Sequence, residues 1–240
     1  MGDVVVDYWR AGLDAVPGEV WRGRDTEVLV LAGNRLTALP AAVGGLGALR
    51  TLDLGHNRLS SLPPEIGLLT GLDRCLYVHG NRLARLPDEV GRLRLLRYLN
   101  AGDNPLAALP ETLGGLVSLV ELRLQGCGLT RLPDGVGGLG RLRELWLRGN
   151  RLTGLPASCA ALRELREVEL RENALRSVPA ALRGLPLLRR LDLRANPLAG
   201  VADWVAGLPA LEKLDLRWTG VRPSPAALRE LAGRGCEVLW

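Results

Sequence analysis

Leucine recurs along this chain in a spacing that predicts one short strand in every unit of a long repeat. The clearest unit runs from Leu142 to Pro156 and reads L-x-x-L-x-L-x-x-N-x-L-x-x-L-P. Within it, Leu145 and Leu147 alternate with charged or aromatic residues, which is the period of a strand that buries one face and exposes the other. Asn150 follows at the predicted turn, where an amide side chain can bond backbone groups that no strand ladder satisfies.

The prolines that end the units fix the length of the repeat. They stand at Pro17, Pro40, Pro63, Pro87, Pro110, Pro133, Pro156 and Pro179. Neighbouring prolines are 23 residues apart, except for 24 between Pro63 and Pro87. A fixed period of this length is typical of a solenoid, in which each unit buries its leucines only by stacking on its neighbours.

The turn asparagine and the segment after the proline carry a resemblance to a known family. The asparagine recurs at Asn34, Asn57, Asn81, Asn104, Asn150, Asn173 and Asn196, with Cys127 and Thr219 in its place in two units. After the proline comes x-x-(Val/Ile/Leu)-Gly-x-Leu-x-x-Leu, which predicts a short helical or turn-rich return segment. These residues resemble the leucine-rich-repeat family over essentially the whole chain, and the LPxx(Val/Ile)G segments resemble its intracellular, Ras-suppressor-like members and their bacterial relatives.

The resemblance implies an α/β fold, a leucine-rich-repeat solenoid shaped as a curved horseshoe. One parallel sheet of about eleven strands would line the concave face, with short helices or turns on the convex face. We expect a single domain over residues 1–240, with an N-terminal capping repeat at 1–24 and regular repeats at 25–221. Residues 222–240 would form a closing helix and an edge strand, because Pro225 can start a helix and Gly233 can end it.

Composition and charge weigh against binding to nucleic acid. The net charge is +5 and the isoelectric point is near 9.5, but Lys213 is the only lysine and acidic residues are interspersed with the arginines. A nucleic-acid surface needs basic grooves with interleaved aromatic residues, so we expect no such partner. The enrichment in Arg, Gly and Ala indicates a GC-rich genome and therefore a bacterial protein.

The start of the chain and its cysteines indicate a cytoplasmic protein, which we expect to be a monomer. The first residues contain early acids and no basic stretch, unlike a secretory signal. No segment is apolar enough to span a membrane, so no membrane partner is expected. The cysteines are widely separated, as reduced thiols are, and stand at Cys75, Cys127, Cys159 and Cys236.

Catalytic and cofactor motifs are absent or explained by the repeat. Residues 135–140 satisfy G-x-G-x-x-G, but they fall on a return segment, whereas a dinucleotide site follows a strand and opens a helix. The sequence contains no P-loop, nucleophile elbow, H-E-x-x-H or C-x-x-C. We therefore expect neither a cofactor nor a metal ion.

Exposed strand positions should form columns on the sheet, because parallel strands lie about 4.8 Å apart. The column between the two strand leucines reads Asp7, Val30, Asp53, Tyr77, Asn100, Arg123, Trp146, Glu169, Asp192, Asp215. The column after the second leucine reads Trp9, Ala32, Gly55, His79, Gly102, Gln125, Arg148, Arg171, Arg194, Arg217. The column before the first leucine reads Val5, Val28, Thr51, Cys75, Tyr98, Glu121, Glu144, Glu167, Arg190, Lys213.

The C-terminal half of these columns is ionic, with arginines from Arg148 to Arg217 beside a row of acids. One interpretation is a solvated lattice in which opposite charges offset the repulsion of like charges on neighbouring strands. The alternative is a charged docking face anchored by Trp146 and Trp218, because exposed Trp and Arg are frequent interface hot spots.

The N-terminal half is less regular and gathers most of the candidate chemistry: His56, His79, Tyr77, Tyr98, Asp53, Cys75, Asn100 and Asp103. Three interpretations stay open, namely polar surface positions without a role, a contact patch for a protein or peptide, and a small-molecule or catalytic pocket. In the last case, His79 and Asp53 would form an acid–base pair, and Tyr77 or Tyr98 would donate to an oxyanion. Asp53, His56 and His79 could also make a loose metal site.

The one 24-residue unit falls in the same half, with its extra residue between Ile66 and Leu76. Departures from a repeat rule are often found at functional sites. Arginines also flank the strands, with stems that can cover leucine edges while the guanidinium groups stay in water. They stand before the strand at Arg50, Arg74, Arg97, Arg143, Arg166 and Arg189, and after the turn asparagine at Arg35, Arg58, Arg82 and Arg151.

The family resemblance implies a module that binds a protein or peptide on its concave face, without catalysis. The residues predicted to carry binding are Tyr77, His79, Tyr98, Asn100, Asp103, Arg123, Trp146, Arg148, Arg171 and Trp218. The alternative is an enzyme or small-ligand site at His79, His56, Asp53, Tyr77 and Tyr98. An enclosed cavity near His79 would favour the enzyme, and an open shallow face would favour a partner protein.

Overall fold

The computed structural model describes residues 3–240 and confirms a solenoid built on one parallel sheet. Its 11 strands follow one another in chain order, because every unit brings the backbone back beside its own start. The strands are β1 Val5–Asp7, β2 Val28–Val30, β3 Thr51–Asp53, β4 Cys75–Tyr77, β5 Tyr98–Asn100, β6 Glu121–Arg123, β7 Glu144–Trp146, β8 Glu167–Glu169, β9 Arg190–Asp192, β10 Lys213–Asp215 and β11 Glu237–Leu239.

The register of the sheet confirms the predicted columns. Asp53 pairs with Tyr77 across β3 and β4, and Trp146 pairs with Glu169 across β7 and β8. Each strand is three residues long. Leu54 still donates its N–H to the carbonyl of Tyr77 at 2.8 Å, but the chain then turns sharply.

Each return segment begins as a short 3-10 helix, directly after the proline in eight units and after Ala202 in the ninth. The fixed φ of proline suits this start, and no regular backbone bond needs its missing N–H. These helices span Gly18–Arg22, Ala41–Gly45, Pro64–Leu68, Asp88–Arg92, Glu111–Gly115, Asp134–Gly138, Ala157–Ala161, Ala180–Leu182 and Asp203–Val205. Glycines let neighbouring segments approach closely, since a Cβ added to Gly114 would lie 2.2 Å from the carbonyl oxygen of Gly135.

The predicted closing helix is present as α1, Pro225–Gly233. The Ser224 hydroxyl caps it by accepting the N–H of Ala227 at 3.2 Å, and Pro225 occupies its first turn. Gly233 lies in the last turn and not beyond it. Within residues 3–240, no helix combines the length and the apolar composition needed to cross a membrane.

The core is one continuous stack of leucines. Leu52, Leu76 and Leu99, each at the centre of a strand, are fully buried, and the return segments supply the opposite wall. The N-terminal end is covered by side chains that pack against this stack while staying partly exposed, among them Val6 and Trp21. Stability therefore comes from contacts between neighbouring units.

A second ladder, formed by the turn asparagines, joins the loops that leave the strands. Asn81 shows the pattern: its amide donates to the carbonyls of Leu54 (2.9 Å) and Val78 (3.0 Å) and accepts the N–H of Leu59 at 3.0 Å. Each asparagine thereby bonds its own unit and the preceding one. We call this series the asparagine ladder.

The asparagine ladder lapses at Cys127 and Thr219, and in both cases the preceding unit explains why. That unit has Asn-Pro at the turn, as in Asn104-Pro105, where most other units have Asn-Arg. Leu106 then donates its N–H to the carbonyl of Asn104 at 2.8 Å. With this donor satisfied inside its own unit, an asparagine at position 127 would find no N–H to accept. Leu198 repeats the arrangement with Asn196 at 2.9 Å.

The extra residue of the 24-residue unit is Asp73. Leu72 occupies the core position of Leu49, and Cys75 pairs with Thr51, so the additional residue lies between them. Its carboxylate accepts from the Arg50 guanidinium at 2.8 Å. This irregularity therefore lies on the flank where the strands begin and not on the concave face.

Candidate functional site

Four aromatic rings form a continuous strip on the N-terminal half of the concave face. Tyr98 on β5 and Tyr77 on β4 have ring centroids 5.1 Å apart, and Tyr77 lies 6.1 Å from His79. The imidazoles of His79 and His56 meet edge to face at 4.7 Å. The sequence columns brought these residues together correctly, and we call them the aromatic strip.

The two histidines are held in place by glycines of neighbouring units. The ring of His79 lies over Gly55, where an added Cβ would come within 2.5 Å of Cε1. The ring of His56 lies over Gly80 in the same way, at 2.6 Å from Nδ1. His56 also adopts a left-handed φ of 52°, which costs a residue other than glycine roughly 1 kcal/mol. The pair is therefore a fixed feature of the surface.

His79 is partly buried, and this burial changes its acidity. Burial lowers the pKa of its imidazole, the neighbouring His56 lowers it further, and the carboxylates of Asp53 and Asp103 only partly offset this. Its buried Nδ1 has no hydrogen-bond partner among residues 3–240. The lowered pKa favours the neutral form of His79, with one ring nitrogen left unsatisfied.

The Asp53 carboxylate accepts the backbone N–H of Gly55, two residues ahead, at 2.9 Å through Oδ1. Within residues 3–240 no hydrogen bond joins this carboxylate to the His79 ring, so the acid–base pair of His79 and Asp53 stays a prediction without direct geometric support. The metal-site alternative also lacks support, because within residues 3–240 no group of three His, Cys, Asp or Glu side chains is arranged to hold a metal ion.

The neighbouring polar residues have different roles. Burial raises the pKa values of Tyr77 and Tyr98, so both phenols stay protonated and can donate hydrogen bonds. Asn100 is buried and accepts the N–H of Gly102 at 3.1 Å, which makes it a support for the turn. Asp103 is exposed in the loop beyond the strand, with a φ of 53°. It lies at the rim of the concave face.

Arg123 and Trp146 join the two halves of the face. The Arg123 guanidinium lies 5.7 Å from the ring of Tyr98 and 5.1 Å from that of Trp146, and its Nε donates to Glu121 at 2.6 Å. The buried Nε1 of Trp146 and the buried Oε1 of Gln125 have no hydrogen-bond partner within the protein. Gln125 was not among the predicted site residues, although it stands in the same column as His79.

Further along, the ionic columns form a dense set of ion pairs. Arg217 donates to the buried Asp215 carboxylate at 2.7 Å, and Arg194 lies between Asp192 and Asp215. Burial raises the pKa of the Asp215 carboxyl, but hydrogen bonds from Arg217 and the charge of Arg194 outweigh it, so the pKa is lowered. Glu169 makes no ion pair with residues 3–240, and burial raises its pKa. Glu144 is likewise without an ion pair to residues 3–240, so the lattice interpretation fits this half apart from Glu144 and Glu169.

Trp218 ends the face as an exposed ring surrounded by guanidinium groups. The ring is 67% exposed, and the guanidinium carbons of Arg171, Arg194 and Arg217 lie 5.7, 6.0 and 5.6 Å from its centroid. Its φ of 63° is left-handed, as is that of Glu172, which pairs with Arg148 and Arg171.

Sequence reasoning named His56, Asp103 and Trp218 but missed the column that they share, which is the residue before each turn asparagine or its substitute. This position is glycine in several units, including Gly33 and Gly80. The units with another residue there could therefore have been recognised from the sequence.

The best-defined cavity on the concave face is an open one in its C-terminal half. This cavity, of about 580 Å³, is lined by Trp146, Glu169, Asp215 and other charged residues of the C-terminal half. Neither histidine lines it. By the criterion set from the sequence, this geometry favours a surface that contacts a partner over an enclosed catalytic pocket.

Comparison with known families recovers the repeat directly. A family model described as a leucine-rich repeat region matches residues 87–197, and another, described as Leucine Rich Repeat, matches residues 48–69. A search of curated proteins finds no match.

Solved structures similar to this chain include plant receptors in complex with their partners. The plant peptide hormone receptor RGFR1 in complex with RGF2 is 28% identical with a TM-score of 0.79, and the match covers 93% of this chain and 37% of the receptor. The ectodomain of the Arabidopsis thaliana receptor kinase GASSHO1/SCHENGEN3, in complex with CASPARIAN STRIP INTEGRITY FACTOR 2, is 29% identical with a TM-score of 0.79, covering 91% of this chain and 27% of that one. The chain thus spans less than two fifths of either receptor.

A bacterial structure matches over its whole length. The leucine-rich-repeat protein LIC12759 of Leptospira interrogans is 20% identical with a TM-score of 0.56, and the match covers 99% of this chain and 96% of that one. At this identity the likeness concerns the fold alone. The repeat pattern, the single parallel sheet and the two family matches together make this chain a leucine-rich-repeat protein.

Proposed function

We propose that the chain binds a protein or peptide segment on its concave face and does so without catalysis. The observation that carries the proposal concerns buried polar atoms that lack a partner within the protein. In residues 3–240, four of the five such side-chain atoms lie on this one face: His79 Nδ1, Gln125 Oε1, Trp146 Nε1 and Arg171 Nε. Buried polar atoms are almost always hydrogen-bonded in native proteins, so their concentration on one face favours a bound partner there.

The chemistry around these atoms suits a polypeptide. Donors and an acceptor alternate with aromatic rings, so peptide groups can bond the polar atoms while side chains contact the rings. Trp146 and Arg123 lie at the centre of the face, where residues of these types contribute most to binding. We assign the binding role to Tyr77, His79, Tyr98, Asp103, Arg123, Trp146, Arg148, Arg171 and Trp218, with Gln125 added and Asn100 as a turn support.

The complexes of the plant receptors support the same proposal. RGFR1 is a peptide hormone receptor in complex with RGF2, GASSHO1/SCHENGEN3 is in complex with CASPARIAN STRIP INTEGRITY FACTOR 2, and this chain shares their solenoid over more than nine tenths of its length. The match covers only a minor part of each receptor, so the likeness extends to the repeat and not to the signalling activity of those proteins. We further propose that the 23-residue units place the chain with the Ras-suppressor-like bacterial type, acting as a cytoplasmic monomer.

A peptide selection with matched variants tests this proposal. Random peptides displayed on phage are selected on the folded chain, and their affinities are measured by calorimetry. We expect Trp146→Ala and Arg171→Ala each to weaken binding about tenfold or more, because each removes a central contact. Arg92→Ala, on the exposed convex side, is the control and should leave affinity unchanged. Selected peptides that bind both concave variants as tightly as the unmodified chain would refute the proposal.

A further inference from the structure

One flank of the solenoid is interrupted by a single apolar residue. The position before the strand is arginine in six units, and in the unit of β6 it is Val120. Val120 is half-buried, and its shorter side chain leaves room where every neighbouring unit has a guanidinium group. The interruption lies where the strands begin, away from the columns of the concave face.

A groove occupies this place. Its volume is about 660 Å³, and Leu95, Ser118, Val120 and Gly140 form its floor. Leu95 is 52% exposed, and Val117, next to Ser118, is 38% exposed. Large apolar side chains exposed together on neighbouring units indicate an interaction surface, whereas isolated ones do not.

The rim of the groove carries uncompensated positive charge. Arg97 and Arg141 line it and make no ion pair with residues 3–240, while Arg143 has only a distant carboxylate at 3.8 Å, from Glu164. Asp73, at one end, is already engaged by Arg50 at 2.8 Å. Free guanidinium groups around an aliphatic floor are complementary to carboxylates that flank an apolar side chain.

We propose that this groove is a second docking site, for a segment of a partner protein in which a leucine or phenylalanine is flanked by Asp or Glu. The apolar side chain would contact Leu95 and Val120, and the carboxylates would pair with Arg97 and Arg141. The aliphatic floor offers no aromatic ring on which a nucleic-acid base could stack, which favours a polypeptide. This site does not depend on the concave face.

The test uses the whole chain and a capped synthetic peptide, Asp-Glu-Leu-Phe-Asp-Glu. Amide chemical shifts of the labelled protein are followed during titration. We expect saturable shifts at the groove residues. Val120→Arg should weaken binding about tenfold or more, because it fills the groove with arginine, the residue that six other units have at this position. Leu95→Asp should act similarly by repulsion, and Leu68→Asp, at a side chain 55% exposed on the convex side, is the matched control.

Several results would overturn the proposal. These are an absence of saturable shifts, equal binding by a peptide with Lys in place of Asp and Glu, or undiminished binding by Val120→Arg. Displacement by an RNA oligonucleotide at equal charge concentration would indicate a general polyanion surface instead. Shifts confined to the concave face would contradict the groove site while leaving the function proposed for that face intact.

Discussion

The two halves of the concave face use the same backbone columns in opposite ways. In the N-terminal half, rings are held by packing, with the imidazoles of His56 and His79 lying over glycines of neighbouring units. In the C-terminal half, side chains are held by ion pairs, such as those of Arg194 and Arg217 with Asp215. Packing leaves polar atoms such as His79 Nδ1 available, whereas ion pairing engages most of them. Of the unpartnered buried atoms on this face among residues 3–240, three therefore lie from the centre towards the N-terminus, and Arg171 Nε is the fourth.

Among the substitutions that test this difference between the halves, Arg194→Met should cause the largest loss of stability. Asp192 and Asp215 are paired across β9 and β10, and Arg194 is the cation between them. Without it, two carboxylates face each other, one of them buried, and we expect the free energy of unfolding to fall by about 2 kcal/mol. Urea denaturation measures this.

The matched control is Arg148→Met. The partner of Arg148, Glu172, is exposed, so this substitution should leave the free energy of unfolding nearly unchanged. If Arg194→Met and Arg148→Met lower the free energy of unfolding equally, the burial of Asp215 does not make its ion pair more important than an exposed one.

A smaller effect is expected at the junction between the halves. Cys127→Asn alone should add little stability, because the N–H of Leu106 is already bonded to Asn104. Combined with Pro105→Arg, it should restore the asparagine ladder, with a coupling free energy of about 1 kcal/mol in a double-mutant cycle. Additive changes would show that the proline and the missing asparagine are unrelated.

The smallest expected effects are changes of stability with pH. Lowering the pH should destabilise the chain through His79 in the N-terminal half and stabilise it through Glu169 in the C-terminal half. The pKa of His79 is lowered by burial and by His56, so the unfolded chain binds this proton more readily and stability is lost as pH falls below about 6.5. The pKa of Glu169 is raised above its usual 4.5 by burial and by Asp192, so the folded chain binds that proton more readily and stability is gained as pH falls towards 4.5.

Thermal unfolding between pH 7 and 4 separates these two contributions. His79→Gln should remove the loss on the acid side of neutrality, and Glu169→Gln should remove the gain at lower pH. If either variant retains the pH profile of the unmodified chain, the corresponding assignment is wrong.

The fold was predictable because the repeat constrains it at every level. Leucine spacing, proline period and turn asparagine all indicated one parallel sheet, and the register of Asp53 with Tyr77 followed from counting. Counting assigns residues to columns but does not set side-chain direction. The short carboxylates of Asp53, Asp192 and Asp215 each accept the N–H two residues ahead, a local contact that the column pattern does not predict.

The contributions of Glu172 and Gln125 were also missed, because the column pattern does not show which side chains make contacts. Glu172 lies in the left-handed position before a turn asparagine, and the strand pattern says nothing about that loop. The extra residue Asp73 was expected to mark the site, but it was accommodated on the flank, where an inserted residue disturbs no strand pairing.

The lapses of the asparagine ladder divide the loop edge of the solenoid into blocks. The pair Asn104-Pro105 with Cys127 and the pair Asn196-Pro197 with Thr219 lie four units apart, while the sheet stays continuous across both. The lapse at Cys127 falls between the aromatic strip and the ionic lattice. There the thiol donates to the carbonyl of Ala101 at 3.4 Å, one bond to the preceding unit where each ladder asparagine, such as Asn81, makes two. The two halves of the face are therefore joined by fewer loop bonds than neighbouring units that are linked by a ladder asparagine.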